Sequence, residues 1–420
     1  MSDEHSDVLI IGAGPAGAVA AALLVRRGFS VRVLERQRFP RFSIGESLLA
    51  HCLDILEEAG MLGAVHRAGF QYKNGALFVR GEQRTEFNFG DKFGEGYHYT
   101  FQVQRADFDK LLTEEAARAG AEIRYEEEIV SVDLGGATQR VLARDARGVE
   151  RGYGARFVLD ASGFGRVLPR LLALETPSSL PPRHAFFTHV EDHIGSGEID
   201  RQKIRVTVLE QHPQVWFWLI PFSNGRASVG VVVDEDWLAD AGDRDSAGML
   251  AHAIAVDAGL SSLLRNARFD TPVNTLAGYS ANVSTMHGPG WALLGNAAEF
   301  LDPIFSSGVT IALHSASLAA GLVARTLGGE AVDWEDGFAR PLRSGVDAFR
   351  TYVRGWYDGR FQRVIFSGLQ HSEAGARARQ MICAVLAGYA WSRDNPFVAE
   401  SERRLSTLVQ YCDLLEGGGA

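Results

Sequence analysis

Six residues near the N-terminus have the types and spacing of a dinucleotide-binding turn. Residues 12–17 read G-A-G-P-A-G, which contains the pattern G-x-G-x-x-G. Glycines at these positions let the backbone turn tightly and come close to a pyrophosphate. A helix is predicted to begin at this turn, so its free N–H groups would face the phosphates. The motif therefore predicts a nucleotide site formed by Gly12, Gly14, Pro15, Ala16 and Gly17.

The elements around this turn are those that a dinucleotide site needs. Glu35 closes the second predicted strand, where a carboxylate accepts hydrogen bonds from ribose hydroxyls, and Arg36 is placed beside it in the same site. G-x-G-x-x-G alone is weakly specific, but together with both strands, the helix and the acid it predicts a βαβ nucleotide fold. Gly28 follows the helix as a C-cap would. The predicted strand, helix and strand are Val8–Ile11, Pro15–Arg27 and Val31–Leu34.

Two further segments decide between FAD and NAD. Arg105 opens a predicted helix with the sequence R-A-D-F-D, and Asp160 ends a predicted strand with D-A-S-G. Both segments resemble the accessory segments of the group A flavin monooxygenase fold. The resemblance implies FAD as the cofactor, with Arg105 and Asp160 close to it. No second G-x-G-x-x-G follows a strand, so the electrons are expected to arrive as FADH2 from a separate flavin reductase.

The rest of the chain predicts a second domain inserted into the first. Three β-rich runs follow one another, with Asn224-Gly225 as a hairpin signal between the last two. A buried strand returns at Trp291–Gly295, and the chain is predicted to be helical after Ser306. The β-rich runs and the two longest C-terminal helical runs are Val206–Leu209, Val215–Phe222, Ala227–Val233, Phe349–Phe366 and Ala374–Trp391.

The expected fold class is α/β and group A flavin monooxygenase-like. It comprises a Rossmann-type FAD domain, an inserted antiparallel β-sheet substrate domain and C-terminal helices. We assign residues 1–75, 100–180 and 285–330 to the FAD-binding domain. Residues 76–99 and 181–284 are assigned to the sheet domain, and residues 331–420 to the C-terminal helical region.

Composition excludes several classes of function. The chain has 420 residues and a net charge of -10, which argues against nonspecific binding to nucleic acid. The N-terminus is acidic and its apolar run is short, so neither a secretory signal nor a membrane span is expected. Cys52, Cys383 and Cys412 are far apart and have no metal-ligand or disulfide spacing. A reduced, cytoplasmic protein without a metal is expected.

The stretch from Trp216 to Pro221 narrows the chemistry. It reads W-x-W-x-I-P, which resembles the signature of the flavin-dependent halogenases. Trp216 and Trp218 share one face of a predicted strand because side chains alternate along a strand. The resemblance implies that the two indole rings form a wall that separates the flavin from the substrate. A β-strand with ordinary core tryptophans is the alternative interpretation.

A second motif resembles the same family. Phe300, Pro303, Ser306 and Gly308 form F-x-x-P-x-x-S-x-G between a buried strand and a helix. Backbone N–H groups at such a turn can bind an anion. The resemblance implies that the amides of Ser307 and Gly308 hold chloride or bromide beside the flavin, with Pro303 and Gly308 also near the cofactor. A flavin-contacting turn without a halide is the alternative.

Lys73 and a segment around Gly45 extend the resemblance. Lys73 stands in a K-x-G setting at about the position of the essential lysine of the halogenases. The implied role is to hydrogen-bond hypohalous acid, or to capture it as a haloamine, and to direct the halogen at the substrate. Residues 38–48 resemble the strap that links the flavin and halide sites, with Gly45-Glu46-Ser47 at its end. Ser47 is expected near the cofactor, while Glu46 is also suited to cap a helix.

Two positions depart from the family pattern. Tryptophan halogenases have a glutamate where this chain has Phe305, so free tryptophan is not the expected substrate. Group A flavoproteins usually have Gly-Asp where this chain has Gly295-Asn296. Asn296 can still hydrogen-bond the ribityl hydroxyls, and the variation resembles halogenase-like flavoproteins of aryl polyene pigment clusters.

The sequence thus predicts a two-component flavin-dependent halogenase. Its expected substrate is an electron-rich aromatic such as a phenol or pyrrole, either free or bound to an acyl or peptidyl carrier protein. Three alternatives stay open: a flavin hydroxylase or dehydrogenase with a vestigial halide site, a geranylgeranyl-reductase-like enzyme, and a non-enzymatic flavoprotein. The general base is also open, and the candidates are Glu46, Glu95, His98 and His212.

Overall fold

The computed structural model describes residues 4–367 and 373–417. Its strands are β1 (Glu4–Ile11), β2 (Val31–Glu35), β3 (Gln71–Lys73), β4 (Gly75–Arg80), β5 (Gln83–Asn88), β6 (Thr100–Gln102), β7 (Glu122–Tyr125), β8 (Glu127–Asp133), β9 (Gln139–Asp145), β10 (Glu150–Asp160), β11 (Glu175–Thr176), β12 (His184–Glu191), β13 (Lys203–Val208), β14 (Trp216–Pro221), β15 (Arg226–Val233), β16 (Asn274–Ala277), β17 (Asn282–Val283), β18 (His287–Gly288) and β19 (Trp291–Leu293). Its helices are α1 (Pro15–Arg26), α2 (His51–Glu58), α3 (Leu62–Arg67), α4 (Arg105–Ala119), α5 (Val167–Leu171), α6 (Glu235–Ala241), α7 (Ser246–Val256), α8 (Ala258–Leu263), α9 (Ser307–Leu327), α10 (Arg340–Tyr357), α11 (Arg360–Phe366), α12 (Glu373–Leu386), α13 (Pro396–Ala399) and α14 (Ser401–Gly417).

A mainly parallel sheet forms the base of the molecule. Its strands run in the order β18-β19-β10-β1-β2-β7, and β1 pairs in parallel with both β10 and β2. Residues 8–10 of β1 are fully buried because α1, α4 and α9 pack around this sheet. A parallel sheet covered on both faces needs such a continuous apolar strand. The predicted strand–helix–strand unit is confirmed, as is the α/β fold class.

A second sheet of seven strands lies above the first, in the order β16-β12-β15-β14-β13-β4-β5. Its pairs are antiparallel except for β4 with β13, which is parallel. Along β14 the side chains alternate between two cores: Trp216 and Trp218 belong to the main core, and Phe217 packs towards the helices α6–α8. The antiparallel sheet predicted from the hairpin signal is therefore present, with one parallel pair added by β4. The domain boundaries stay a prediction.

The C-terminal helices differ from the prediction in two places. The helix expected over Phe349–Phe366 is two helices, α10 and α11, because Gly359 has a φ of +85° and ends the first of them. The helix expected over Ala374–Trp391 ends at Leu386, before Gly388 with a φ of +98°. Residues 368–372 and 418–420 of the predicted helical region lie outside the described residues.

Helix α9 crosses the centre of the molecule. By length and composition it is apolar enough to span a membrane, but 61% of its apolar window is buried inside the protein. It packs against α1, α2 and α10, which is the position of a core helix. The three cysteines are buried, and none of them forms a disulfide bond with another described residue.

Candidate active site

A cavity of about 400 Å³ runs from the carboxyl ends of β1 and β2 to the underside of the second sheet. Gly12 and Glu35 line one end, and Trp216 and Trp218 line the other. Ligands of open α/β sheets bind at the carboxyl ends of the strands, so this position is the expected one. The predicted site residues that line the cavity are Gly12, Gly14, Pro15, Ala16, Glu35, Arg36, Ser47, Arg105, Trp216, Trp218, Asn296, Pro303 and Gly308.

The glycine turn has the shape that its motif predicts. Gly12 has a φ of +92°, and an added Cβ would lie 2.8 Å from the Ala161 carbonyl oxygen. Gly17 packs so closely on the Gly12 carbonyl that a Cβ there would be nearer than 3.0 Å. A Cβ added at Gly14 would meet Arg41 Nη2 first, at 3.5 Å. The space beside this glycine is therefore part of the cavity. No side chain caps α1, and its first N–H groups are free for an anion.

Two charged groups stand beside the turn. Glu35 is buried, and its carboxylate accepts hydrogen bonds from the Ala13 and Gln37 amides, both at 2.9 Å. It thereby fixes the turn while it lines the cavity. Arg41 was not among the predicted residues; it also lines the cavity and lies 3.4 Å from Asp109 and 3.9 Å from Glu35. Its only sequence signal was its place in the strap, residues 38–48.

Arg105 connects helix α4 to the strap. Its Nε donates to Asp109 at 2.7 Å, and its Nη1 donates to the Ile44 carbonyl at 2.5 Å. Asp109 is fully buried, so the ion pair fixes the guanidinium in one orientation at the cavity wall. Arg105 therefore orders the strap whether or not it also contacts the cofactor.

Four predicted residues do not line the cavity: Gly17, Lys73, Asp160 and Ser307. Asp160 accepts from the Ser162 amide at 2.8 Å and from the Leu168 amide at 2.7 Å. Its carboxylate thus shapes the loop whose next residues, from Ala161 to Gly165, line the cavity. Ser307 is buried in the first turn of α9, directly before Gly308.

The two tryptophans are held rigidly at the sheet end of the cavity. Trp216 Nε1 donates to the Tyr357 hydroxyl and Trp218 Nε1 to Ser228 Oγ, both at 3.0 Å, and the two ring centroids are 5.9 Å apart. Trp218 lies over Gly230, its partner on β15. Because Gly230 has no side chain, the indole ring of Trp218 can occupy the space above it.

Replacing Gly230 by alanine is expected to destabilise the protein and to displace Trp218. An added Cβ would be closer than 3.0 Å to the indole ring. Overpacking of this kind costs about 1–3 kcal/mol. Denaturant unfolding of Gly230→Ala should show this loss, whereas Gly90→Ala, where nothing lies within 4 Å of the new Cβ, should leave stability unchanged. Equal stability of both variants would show that the ring has room to move.

An anion-binding geometry occurs at the start of α9. Ser306 precedes the helix with a φ of +56°, and no side chain caps the helix. Gly308 lines the cavity beside Asn296, Phe300 and Pro303. The uncapped start of the helix, with the positive end of its dipole, therefore lies at the cavity through Ser306 and Gly308, where the halide motif predicts an anion.

Lys73 lies one side chain behind the cavity wall. It is 1% exposed, and its Nζ donates to Ser47 Oγ at 2.8 Å and to the Leu48 carbonyl at 2.7 Å. Among the described residues no carboxylate pairs with it. Burial without a counter-ion lowers its pKa to about 7, because desolvation disfavours the ammonium form. Near neutral pH the lysine is therefore present both as ammonium and as nucleophilic amine.

The structure separates the four candidate bases. Glu46 lines the cavity, is 2% exposed and has Oε1 2.5 Å from His189 Nε2. Glu95 and His98 are exposed on the surface, and His212 pairs with Asp234 at 3.1 Å. Glu46 is thus the one candidate on the cavity wall. His189 belongs to no recognisable sequence motif. It contacts Glu46 although the two residues are 143 positions apart in the chain.

The fold and the site together define an FAD-binding flavoprotein of the group A monooxygenase type. The cofactor fits on the protein's own features: a glycine turn with open space, an uncapped helix start and a carboxylate at the end of β2. The model of the FAD binding domain family matches residues 5–335. The chain belongs to this family, and it is similar to flavin-dependent halogenases.

Three known proteins show what the chain is similar to. It is 32% identical to tryptophan 2-halogenase of Chondromyces crocatus over 77% of this chain, which spans 62% of that protein. It is 29% identical to a Pseudomonas fluorescens chlorinase of 1H-pyrrole-2-carbonyl on a peptidyl-carrier protein, over 85% of this chain and 83% of that one. A flavoprotein/dehydrogenase structure from Cytophaga hutchinsonii is 42% identical with a TM-score of 0.93, covering 98% and 100% of the two chains.

Proposed function

We propose that this protein uses FADH2, O2 and chloride or bromide to halogenate an electron-rich aromatic such as a phenol or pyrrole. The observation that carries the proposal is the pairing of two features at one cavity. The uncapped start of α9 offers an anion site at Gly308, and the buried Lys73 lies directly behind Ser47, which lines the same cavity. A hydroxylase on this scaffold needs neither of them.

Each part of the site has a distinct task in this proposal. When bound, reduced FAD would let O2 oxidise the halide to hypohalous acid, with water as the second product. The amides of Ser307 and Gly308 hold the halide, and Trp216 and Trp218 keep the arene away from the flavin. Lys73 then receives the hypohalous acid as a hydrogen-bond donor or as an amine that forms a haloamine.

The substrate class follows from the apolar end of the cavity. Ala185, Ile204 and Ile220 line it with the tryptophans, and Phe305 is 4% exposed and packs edge-on against Trp356. This composition supports a neutral arene rather than an amino acid. By analogy with the pyrrole chlorinase, the arene is free or bound to a carrier protein. A separate flavin reductase and a cytoplasmic location complete the proposal.

Mass spectrometry of turnover tests this function. The protein is supplied with FAD, a flavin reductase, NADH, O2 and bromide, together with phenols and pyrroles that are free or carrier-bound. A product with the bromine isotope doublet is expected. A hydroxylated or desaturated product that forms equally well without halide would replace the proposal with an oxygenase or dehydrogenase function.

Glu46 is proposed as the base that completes the substitution. As the carbon–halogen bond forms, the C–H bond breaks and its proton passes to Glu46. The oxygen of the hypohalous acid leaves as water with a proton from Lys73. His189, whose side chain is 14% exposed, can carry the proton from Glu46 towards solvent. The arene proton thus leaves the cavity through the buried Glu46 and then through His189, which is partly exposed.

The variant Glu46→Gln is expected to slow halogenation by about 10²-fold, the usual size of a general-base contribution. Proton removal should then limit the rate, so a deuterated arene should react more slowly than the protiated one. FAD binding, followed by flavin fluorescence, should not change. Glu95→Gln is the control, because Glu95 is exposed and outside the cavity. A slow variant without an isotope effect would mean that Glu46 only holds the strap.

A further inference from the structure

A buried carboxylate stands directly before the anion site. Asp302 is 2% exposed and begins the turn that leads to Ser306 and α9. Its Oδ1 accepts from the Ile304 amide at 2.9 Å, and its Oδ2 accepts from the hydroxyls of Tyr279 at 3.1 Å and Tyr357 at 2.9 Å. The three donors come from the turn, from the segment after β16 and from the end of α10. The carboxylate therefore joins three parts of the fold.

Hydrogen bonds favour the ionised form of Asp302, and no cation among the described residues pairs directly with its carboxylate. Burial raises the pKa of Asp302 to about 6, while the Ile304 amide and the two phenols act in the opposite direction. The nearest cation is Arg183, which lies over the Tyr357 ring at 4.1 Å and pairs with Asp234 at 3.4 Å. Its charge is thus shared with another acid. The ionisable groups that face Asp302 are Tyr279, Tyr357 and Arg183.

The position of this charge matters to an anion at α9. Asp302 lies five residues before Ser307, and the intervening 3₁₀ turn rises about 2 Å per residue, so the two sites are within roughly 10 Å. At that distance and an effective dielectric constant of about 20, two like charges change binding by about tenfold. A halide and an ionised Asp302 therefore disfavour each other.

We infer that Asp302 controls the pH dependence of halide binding, and that it takes up a proton when a halide binds. The inference rests on the proposed function, since it assumes a halide at Ser307 and Gly308. The direction of the pH effect on halide binding follows from the closeness of the two negative charges. Acid protonates Asp302, removes the repulsion and tightens halide binding; alkali ionises it and weakens binding. The protonated side chain still reaches the same donors through its other lone pairs.

Bromide binding to the FAD-loaded protein tests this without any arene. The flavin absorbance is followed during bromide titrations between pH 5 and pH 8, and proton uptake is followed with an indicator in weak buffer. In the wild type, the dissociation constant should rise about tenfold across this range, with proton uptake on binding near the midpoint. Asp302→Asn should bind bromide more tightly than the wild type at pH 8 and with a smaller pH dependence, and combined with Lys73→Met it should give a flat pH profile.

Variants of the donors keep the test decisive if Asp302→Asn folds poorly. Tyr357→Phe removes one donor to the carboxylate, so the pKa of Asp302 rises and the midpoint of the bromide profile should move to higher pH. Tyr352→Phe is the matched control: its hydroxyl is buried in the same helix but donates to the Phe397 carbonyl at 2.7 Å. Its profile should match the wild type.

Lys73 also titrates near neutrality and in the same direction, so Lys73→Met must keep the pH dependence for the inference to stand. A bromide affinity that is independent of pH in the wild type would overturn the role of Asp302 and leave the proposed function intact. The same conclusion follows if Asp302→Asn keeps the wild-type slope. No bromide binding at any pH, with FAD bound, would reject the halide site itself and with it the proposed function.

Discussion

Replacing Lys73 by methionine is expected to abolish the halogenated product, by more than about 10³-fold, while FAD binding is retained. Methionine has a similar length and suits a buried site, so the surrounding strands β3 and β6 should keep their pairing. What is lost is the amine that donates to Ser47 Oγ and the Leu48 carbonyl. Without it, the amine that the proposed mechanism requires to capture hypohalous acid is missing.

The expected signature is a separation of two activities. Reduced flavin should still be reoxidised by O2, because Lys73 does not line the cavity. Hypohalous acid should then escape, and a small scavenger such as monochlorodimedone should be halogenated in solution. The measurement is product formation and O2 consumption in the same reaction. In the wild type the two rates should be coupled.

Lys92→Met provides the control for this variant. Lys92 is also largely buried and also donates to main-chain carbonyls, those of Gly94 and Glu95. Burial lowers the pKa of Lys92, as it does that of Lys73, while Asp54 and Glu95 act on Lys92 in the opposite direction. It is not among the residues that line the cavity, and its replacement should leave halogenation unchanged. Arene halogenation by Lys73→Met at the wild-type rate would remove the lysine from the mechanism.

The parts of the fold that were predictable are those whose determinants are local. The strand, glycine turn and helix of residues 8–26 are specified by an apolar run, three glycines and Pro15, all within one short segment. The hairpin at Asn224-Gly225 is equally local. The parallel pairing of β4 with β13 was not predictable, because it joins segments more than 120 residues apart in the chain.

In the site, too, the features set by one short segment were predictable and the contacts between distant segments were not. Residues 300–308 form one turn, so the sequence alone could place Pro303 and Gly308 beside each other. The contact of Glu46 with His189, and that of Asp302 with Tyr279 and Tyr357, depend on how two sheets and α10 meet. No pattern within any single segment indicates them. For Lys73, its motif indicated the residue but not that Ser47 stands between it and the cavity.

The second large effect is expected from substitutions in the glycine turn, because Gly14 and Gly17 have different surroundings. Gly17 faces the protein: a Cβ there would be closer than 3.0 Å to the Gly12 carbonyl oxygen, a backbone atom that cannot move away cheaply. Gly14 faces the cavity: a Cβ there meets only Arg41 Nη2, at 3.5 Å. Gly17→Ala should therefore damage the fold itself, and Gly14→Ala should damage only the binding of FAD.

We expect Gly17→Ala to lose about 1–3 kcal/mol of the free energy of unfolding and to be purified without flavin. Gly14→Ala should unfold like the wild type when no FAD is added, yet bind FAD at least about tenfold more weakly, which is about 1.4 kcal/mol. Thermal unfolding with and without FAD measures both quantities. Gly321→Ala is the control, since nothing lies within 4 Å of its new Cβ and alanine is favoured in the interior of α9. Unimpaired FAD binding by Gly14→Ala would mean that the pyrophosphate does not occupy the space that this glycine leaves open beside the uncapped start of α1.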